Sequence, residues 1–189
     1  AGELFAIRKQ LYQAPEKGML IEDFITSMTV VKKGFKIAYE PSSKASEYGS
    51  SSIAEELKRK IRIGAGGLQA ILQLKSLLNP FKYGVTSFQY VSHRVMRWTI
   101  APIALIVLAT VNIFLLDSAW EGYKWIAAAQ ALFYLAALIG FAFERHQIRL
   151  KILFVPFYFS FMHFSMFISL YKLMTGNYQV VWEKAQRKY

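Results

Sequence analysis

The stretch that decides the architecture is Thr99–Leu116, TIAPIALIVLATVNIFLL, 18 residues without a charged side chain. A helix needs roughly 20 apolar residues to cross the hydrocarbon core of a bilayer. Two further segments read the same way: Trp125–Phe143, WIAAAQALFYLAALIGFAF, with 19 uncharged residues, and Ile152–Tyr171, ILFVPFYFSFMHFSMFISLY, with 20. Pro156, His163, Ser160, Ser165 and Ser169 soften the third. The pattern predicts a membrane region over 99–174 with three transmembrane helices at 99–116, 125–143 and 152–171. Trp98, Trp120, Tyr123 and Trp125 stand at the ends of these segments, where aromatic side chains anchor a helix at the lipid–water boundary.

Composition narrows the class. Of 189 residues, 54% are apolar, 16% aromatic and 19% charged, which excludes a disordered chain. The absence of cysteine excludes a disulfide-stapled scaffold and a cysteine zinc site. Residues 1–12 lack the basic start, apolar core and cleavage site of a targeting signal. They read like the interior of a folded domain, so the chain is expected to be a piece whose N-terminal portion is missing.

Charge sets an orientation. Residues 1–99 carry 15 Lys and Arg against 8 acids, the 117–124 loop is net −1 and the 144–151 loop net +2. The positive-inside rule therefore puts residues 1–98 and 144–151 in the cytoplasm. Three full crossings would leave the 172–189 tail, net +3, on the outside against the same rule. A re-entrant or interfacial third segment would avoid that conflict, and the side of the tail stays open.

Ahead of the membrane region, residues 3–12 read as a short strand running into a helical turn, and 13–18, with Pro15 and Gly18, as a loop. Glu22 and Asp23 open a helix that ends in Lys32 and Lys33, both charge placements suiting the helix dipole. Gly34 sits where a left-handed C-terminal cap belongs. Phe35, Ile37 and Tyr39 alternate with Lys36, Ala38 and Glu40, the pattern of a half-buried strand stopped by Pro41. Helix, glycine and strand make an α/β unit. Ser52 and Glu55 fit a capping box for a basic amphipathic helix over 52–79. Gly64, Gly66 and Gly67 interrupt that helix and mark a close approach of backbone to a ligand or another helix. Residues 85–98, rich in aromatic and basic side chains, suit a membrane interface.

Three groups could carry chemistry. A carboxylate such as Asp23, beside Glu22, can accept a proton from an incoming hydroxyl; the same two acids equally suit a plain dipole-stabilised first turn. Arg59 and Arg62, three apart, share a helix face with Lys58 and Lys60 close by, and guanidinium groups match phosphate oxygens. That face reads either as a diphosphate clamp near the membrane or as a solvated face attracted to anionic headgroups. His93, His146 and His163 have no metal-ligand spacing, and His163 inside a span suits helix packing. No phosphate-loop, dinucleotide or nucleophile-elbow motif is present, since Gly64-Ala65-Gly66-Gly67 lacks a preceding strand.

The order of these parts resembles the C-terminal half of the membrane-bound family 2 glycosyltransferases, the group of cellulose, hyaluronan and poly-N-acetylglucosamine synthases, in a bacterial branch. Gly2-Glu3-Leu4-Phe5-Ala6-Ile7-Arg8 is similar to the family's Gly-x-x-x-Ala-x-Arg strand on the acceptor side. Glu22-Asp23, with the following helix and the segment to Pro41, resembles its Glu-Asp motif. Ser92-His93-Arg94 with Arg97-Trp98 resembles its Ser-His-Lys-x-x-Arg-Trp approach to the membrane. Gly176, Trp182-Glu183-Lys184 and Arg187 resemble its Trp-x-Lys tail. The resemblance implies an α/β C-terminal piece of a GT-A-type domain over residues 1–84, an interfacial segment 85–98, the membrane region and a tail 175–189.

By the same resemblance, Asp23 is the catalytic base. Glu22, Arg59, Lys60 and Arg62 bind substrate or diphosphate, and Gly2 and Glu3 lie on the acceptor side. The partners implied are a nucleotide-sugar donor, a glycan or lipid-linked acceptor and membrane lipids, with no nucleic acid. Mg²⁺ or Mn²⁺ is implied too, its ligands lying outside this chain with the nucleotide-binding strands. Processive synthases carry Gln-x-x-Arg-Trp, where this chain has Arg59-Lys60-Ile61-Arg62-Ile63; Ile63 replaces the Trp, so addition of one or a few sugars stays open. The function implied is an inverting transfer at the cytoplasmic face of the bacterial inner membrane. The alternatives are a non-enzymatic membrane anchor or partner-binding module and, less in keeping with the unpaired polar pattern, a small transporter.

Overall fold

The computed structural model describes residues 4–46, 50, 52–117, 120–146, 148 and 150–177. It overturns the α/β expectation. The described residues are all-α, 72% of them helical, with no strand among them, so the α/β GT-A piece expected over residues 1–84 is not formed by them. Residues 4–8 are irregular and lead into a 3₁₀ turn at Lys9–Leu11. The expected strand over 35–40 lies without a partner, and Tyr39 is 86% exposed. The reason is that two-residue alternation describes a segment with two faces. A strand also needs a neighbour to take its backbone N–H and C=O groups, and none is present among the described residues.

The helical expectations fare better. Helix α1 (Glu22–Lys32) has both acids in its first turn and Lys32 in its last. It closes on Gly34 in the left-handed region, at φ +87, with the Gly34 amide donating to Val31 at 2.9 Å and the Phe35 amide to Val30 at 3.3 Å. Helix α2 (Ile53–Gln73) starts at Ser52, whose hydroxyl accepts from the Glu55 amide at 3.2 Å. It runs unbroken through Gly64, Gly66 and Gly67, so the glycines do not interrupt it. It also ends before Asn79: a 3₁₀ turn at Lys75–Leu78 follows, and Asn79 instead caps α3 (Pro80–Tyr83).

The glycines of α2 are where other segments come closest. A Cβ on Gly64 would overlap the Ser169 hydroxyl, one on Gly66 would lie 2.9 Å from Leu20 and Ile21, and one on Gly67 would lie 2.5 Å from the Trp98 ring. Around this helix a small core forms from Ile25, Ala70, Leu74, Leu77 and Tyr90, with Ile21, Phe24 and Val95 packed on it.

After α3 come α4 (Val85–Tyr90), a π-helical turn at Val91–Val95 and α5 (Met96–Trp98). The chain then bends by 54° into α6 (Ile100–Phe114). At the break the Thr99 hydroxyl donates to the Val95 carbonyl at 2.7 Å, a back-bond that competes with the helix ladder. Helices α7 (Gly122–Arg145) and α8 (Lys151–Met174) follow. Both are long and apolar enough to cross a membrane, and the bent pair ending in α6 makes a third candidate span. The chain is thus a membrane protein with two or three candidate crossings. Asn112 donates to Gln130 at 2.9 Å between α6 and α7. Gly140 of α7 lets α8 approach at Leu153 and Phe157.

Helix propensity alone says that Gly67→Ala stabilises α2 by about 1 kcal/mol. Contact with Trp98 reverses the sign: overpacking costs about 1–3 kcal/mol. Gly67→Ala is therefore expected to lower the thermal unfolding midpoint in detergent, and a raised midpoint would mean that the close approach is absent.

Candidate functional site

The candidate base is set by how the chain meets α1. Residues 18–21 lie along α2, held on both sides by one side chain: the Leu20 amide donates to Gln69 Oε1 at 3.2 Å and Gln69 Nε2 donates to the Gly18 carbonyl at 3.3 Å. Arg62 Nη2 adds a bond to the Leu20 carbonyl at 3.3 Å. Leu20 is buried and Gly66 leaves room for it. Two residues later α1 begins, with Glu22 exposed and Asp23 half-buried.

Beside this corner a cation lies against two rings. The Arg94 guanidinium carbon lies 4.8 Å from the Phe24 ring centre and 5.4 Å from that of Trp98. The two rings meet edge to face at 6.0 Å. Asp23, adjacent to Phe24, is within Coulombic range of Arg94, as are Arg97 and Tyr90. A guanidinium stacked on aromatic faces keeps its charge and its donors in a fixed plane.

The basic face of α2 divides among different partners. Arg62 turns toward residues 18–21. Lys60 pairs with Glu56 at 3.3 Å and lies 5.8 Å from the Tyr158 ring. Arg59 reaches Glu56 at 4.0 Å, and Lys58 reaches Glu55 at 2.9 Å. Glu56 also accepts from the Ser50 hydroxyl at 2.7 Å and from Tyr158 at 3.3 Å. Burial pushes the Glu56 carboxyl up, but Ser50, Lys60 and Arg59 outweigh it and hold it below the ordinary carboxylate range.

Among the sequence-predicted residues, then, Arg62 reaches the Leu20 carbonyl, three residues before Asp23, while Arg59 and Lys60 gather on Glu56. Gly2, Glu3 and the Trp182–Arg187 tail motif lie outside the described residues. His163 contacts its own helix, Nδ1 to the Phe159 carbonyl at 2.8 Å. No group of three or more His, Cys, Asp or Glu that could hold a metal occurs among the described residues. A cleft of about 450 Å³ lies elsewhere, between Gln13–Glu16, Ile25, Thr29 of α1 and Gln73.

Two residues were not assigned to the site from the sequence, although Arg94 was noted in the approach to the membrane. Gln69 is an isolated polar side chain in the apolar half of α2, and Arg94 stands four residues before Trp98, on the same helical face. Those spacings are the signals that could have found them. Comparison with family models, with curated proteins and with solved structures finds no match.

The Glu56 cluster makes a pH prediction. A carboxyl held low in the folded state stabilises it above the ordinary carboxylate pKa, and this contribution fades as pH falls through the lowered value. Glu56→Gln is expected to cost about 1–2 kcal/mol at neutral pH. The gap from the parent, followed by thermal unfolding, should close only below the ordinary carboxyl value of 4.5; a gap unchanged across that range would remove the charge from the account.

Proposed function

We propose that this chain carries the acceptor-side base and membrane-interface part of an inverting glycosyltransferase. Its donor would be a nucleotide-sugar and its acceptor a glycan or lipid-linked hydroxyl compound. The observation that carries this reading is the fixing of the Asp23 corner: Arg62 and Gln69 tie down residues 18–21, and Phe24 is stacked on Arg94. General-base catalysis needs a carboxylate held in position next to an exposed approach.

In the reaction, a carboxylate oxygen of Asp23 takes the proton of the acceptor hydroxyl. That oxygen forms a bond to the anomeric carbon while the bond from this carbon to the diphosphate oxygen breaks. A nucleoside diphosphate leaves, and the configuration inverts. Arg94 and Arg62 supply nearby positive charge, and fixed charges of this kind stabilise a departing anion. The divalent cation implied by the family resemblance would take its ligands outside residues 1–189, so no step is assigned to it. Donor recognition is assigned to residues outside 1–189.

A second reading, a membrane anchor or partner-binding module without activity, is favoured by one observation. The cations Lys58, Arg59 and Lys60 are already engaged by acids of their own helix. Asp23→Asn in membranes expressing the native gene separates the two. The transferase reading expects labelled-sugar transfer to fall at least about 100-fold with donor binding retained. Transfer at the parent rate would remove Asp23 as the base.

For location we propose the bacterial inner membrane, with residues 4–98 on the cytoplasmic side, and with α8 returning to that side instead of crossing. Support comes from packing. The start of α8 lies against Gly140, near the end of α7. Its later half lies against Gly64 through Met166 and Ser169, one turn of α2 from the Gly67–Trp98 contact that precedes α6. The beginning of α6 and the end of α7 share a side when that pair crosses as a hairpin. Both halves of α8 thus have a contact on that side, while Phe159 meets Phe133 midway along α7 at 5.7 Å. The Ser169 hydroxyl also donates to Ile61 at 3.0 Å, and Glu56 and Lys60 lie beside Tyr158. Charged side chains cost about 2.5–3.5 kcal/mol each at a bilayer centre, so this face of α8 belongs near water.

Because the chain has no cysteine, single cysteines report sidedness directly. A membrane-impermeant maleimide should label Asp117→Cys in intact cells and Thr175→Cys only after permeabilisation. Labelling at 175 from outside would make α8 a third crossing.

A further inference from the structure

We infer that residues 72–88 form a foot that inserts into an anionic lipid surface, independently of the transfer chemistry. The segment is apolar on two sides. Its inner side buries Leu74 and Leu77 in the core with Ile25 of α1 and Ala70 of α2. Its outer side presents Leu72, Phe81, Val85 and Phe88, with Phe81 100% and the others at least 70% exposed. Water is a poor solvent for such a patch, and contiguous exposed apolar surface marks an interaction site.

The tip is held, not loose. Pro80 opens α3, and the Asn79 side chain accepts from the Phe81 and Lys82 amides at 3.0 and 3.2 Å. Gly84, at φ +50, turns the chain directly into α4. Phe81 is thus presented at a capped corner. The backbone that carries the ring is already fixed, so less ordering is left to be done on insertion.

Charge and continuity identify the occupant as lipid. No acid occurs between Glu56 and Asp117, while eight Lys and Arg do. Lys75 and Lys82 flank the patch, both exposed, and Lys82 lies 5.5 Å from the Tyr83 ring. A basic rim around an apolar wedge matches an anionic headgroup layer over acyl chains. The foot also runs straight on, through α4 and α5, to the 54° bend and the apolar α6. It is tethered to a membrane span by the chain itself.

The test uses the full protein reconstituted in phosphatidylcholine vesicles with and without phosphatidylglycerol. Nitroxides are placed on single cysteines at positions 75, 81 and 88, all exposed, and accessibility to oxygen and to a water-soluble nickel chelate is read by electron paramagnetic resonance. The expected result is a several-fold higher oxygen-to-nickel ratio at 81 and 88 than at 75. It should be larger with phosphatidylglycerol, and that increase should be lost in Lys75→Gln/Lys82→Gln carrying the label at 81. Nickel access at 81 equal to that at 75 would overturn insertion. Protection of 81 from both reagents would show a protein contact, a second copy or another partner, and overturn the lipid assignment. A ratio indifferent to phosphatidylglycerol would overturn its anionic character.

Discussion

Close approach of backbone along one turn of α2 is the constraint from which the rest of the arrangement follows. Gly64, Gly66 and Gly67 meet Ser169, Leu20 with Ile21, and Trp98. Packed helices normally stand 8–10 Å apart because side chains lie between them. Without a Cβ at these positions, three segments remote in sequence reach the same turn of α2. Each glycine costs about 1 kcal/mol of helix propensity, offset by burial of Trp98 and of residues 18–21. The Asp23 corner, the start of α6 and the later half of α8 are thereby tied to a common support.

This geometry explains why the cations of α2 do not act as one clamp. Residues at successive positions of a helix point about 100° apart. Arg62 faces residues 18–21, Lys60 faces α8, and Lys58 and Arg59 face outward toward their own acids. Glu56 collects charge from several directions, which lets charged side chains sit next to the aromatic face of α8. A positive charge within Coulombic range of Asp23 comes from another part of the chain, Arg94, which lies against both Phe24 and Trp98.

Local signals were legible. The acids opening α1, Gly34 at its end, Ser52 with Glu55 at the start of α2 and the three uncharged runs all act over a few residues, and each has its counterpart among the helices and caps. The expected strands failed for the opposite reason. Alternation at Phe35, Ile37 and Tyr39 is local, but a strand exists only with a partner, and the described chain offers none. The glycines lay between these cases: close approach was readable, but the neighbour was not. Of the candidate site, Asp23 and Arg62 were named from the sequence, but the bond from Arg62 to Leu20, three residues before Asp23, was not, and Gln69 and Arg94 gain their importance only from contacts made 51 and 70 residues away, with Gly18 and Phe24.

What the amino-acid order determined by itself was the set of elements: which runs are apolar enough to enter a membrane, where helices begin and stop, and that the part preceding them is basic. Those properties follow from hydropathy, capping and charge along the chain. The tertiary structure alone decided which segment fills each glycine notch, which acid each cation meets and which face of α8 packs on α2. Such pairings depend on how distant helices dock, and helical periodicity names a face without naming its neighbour.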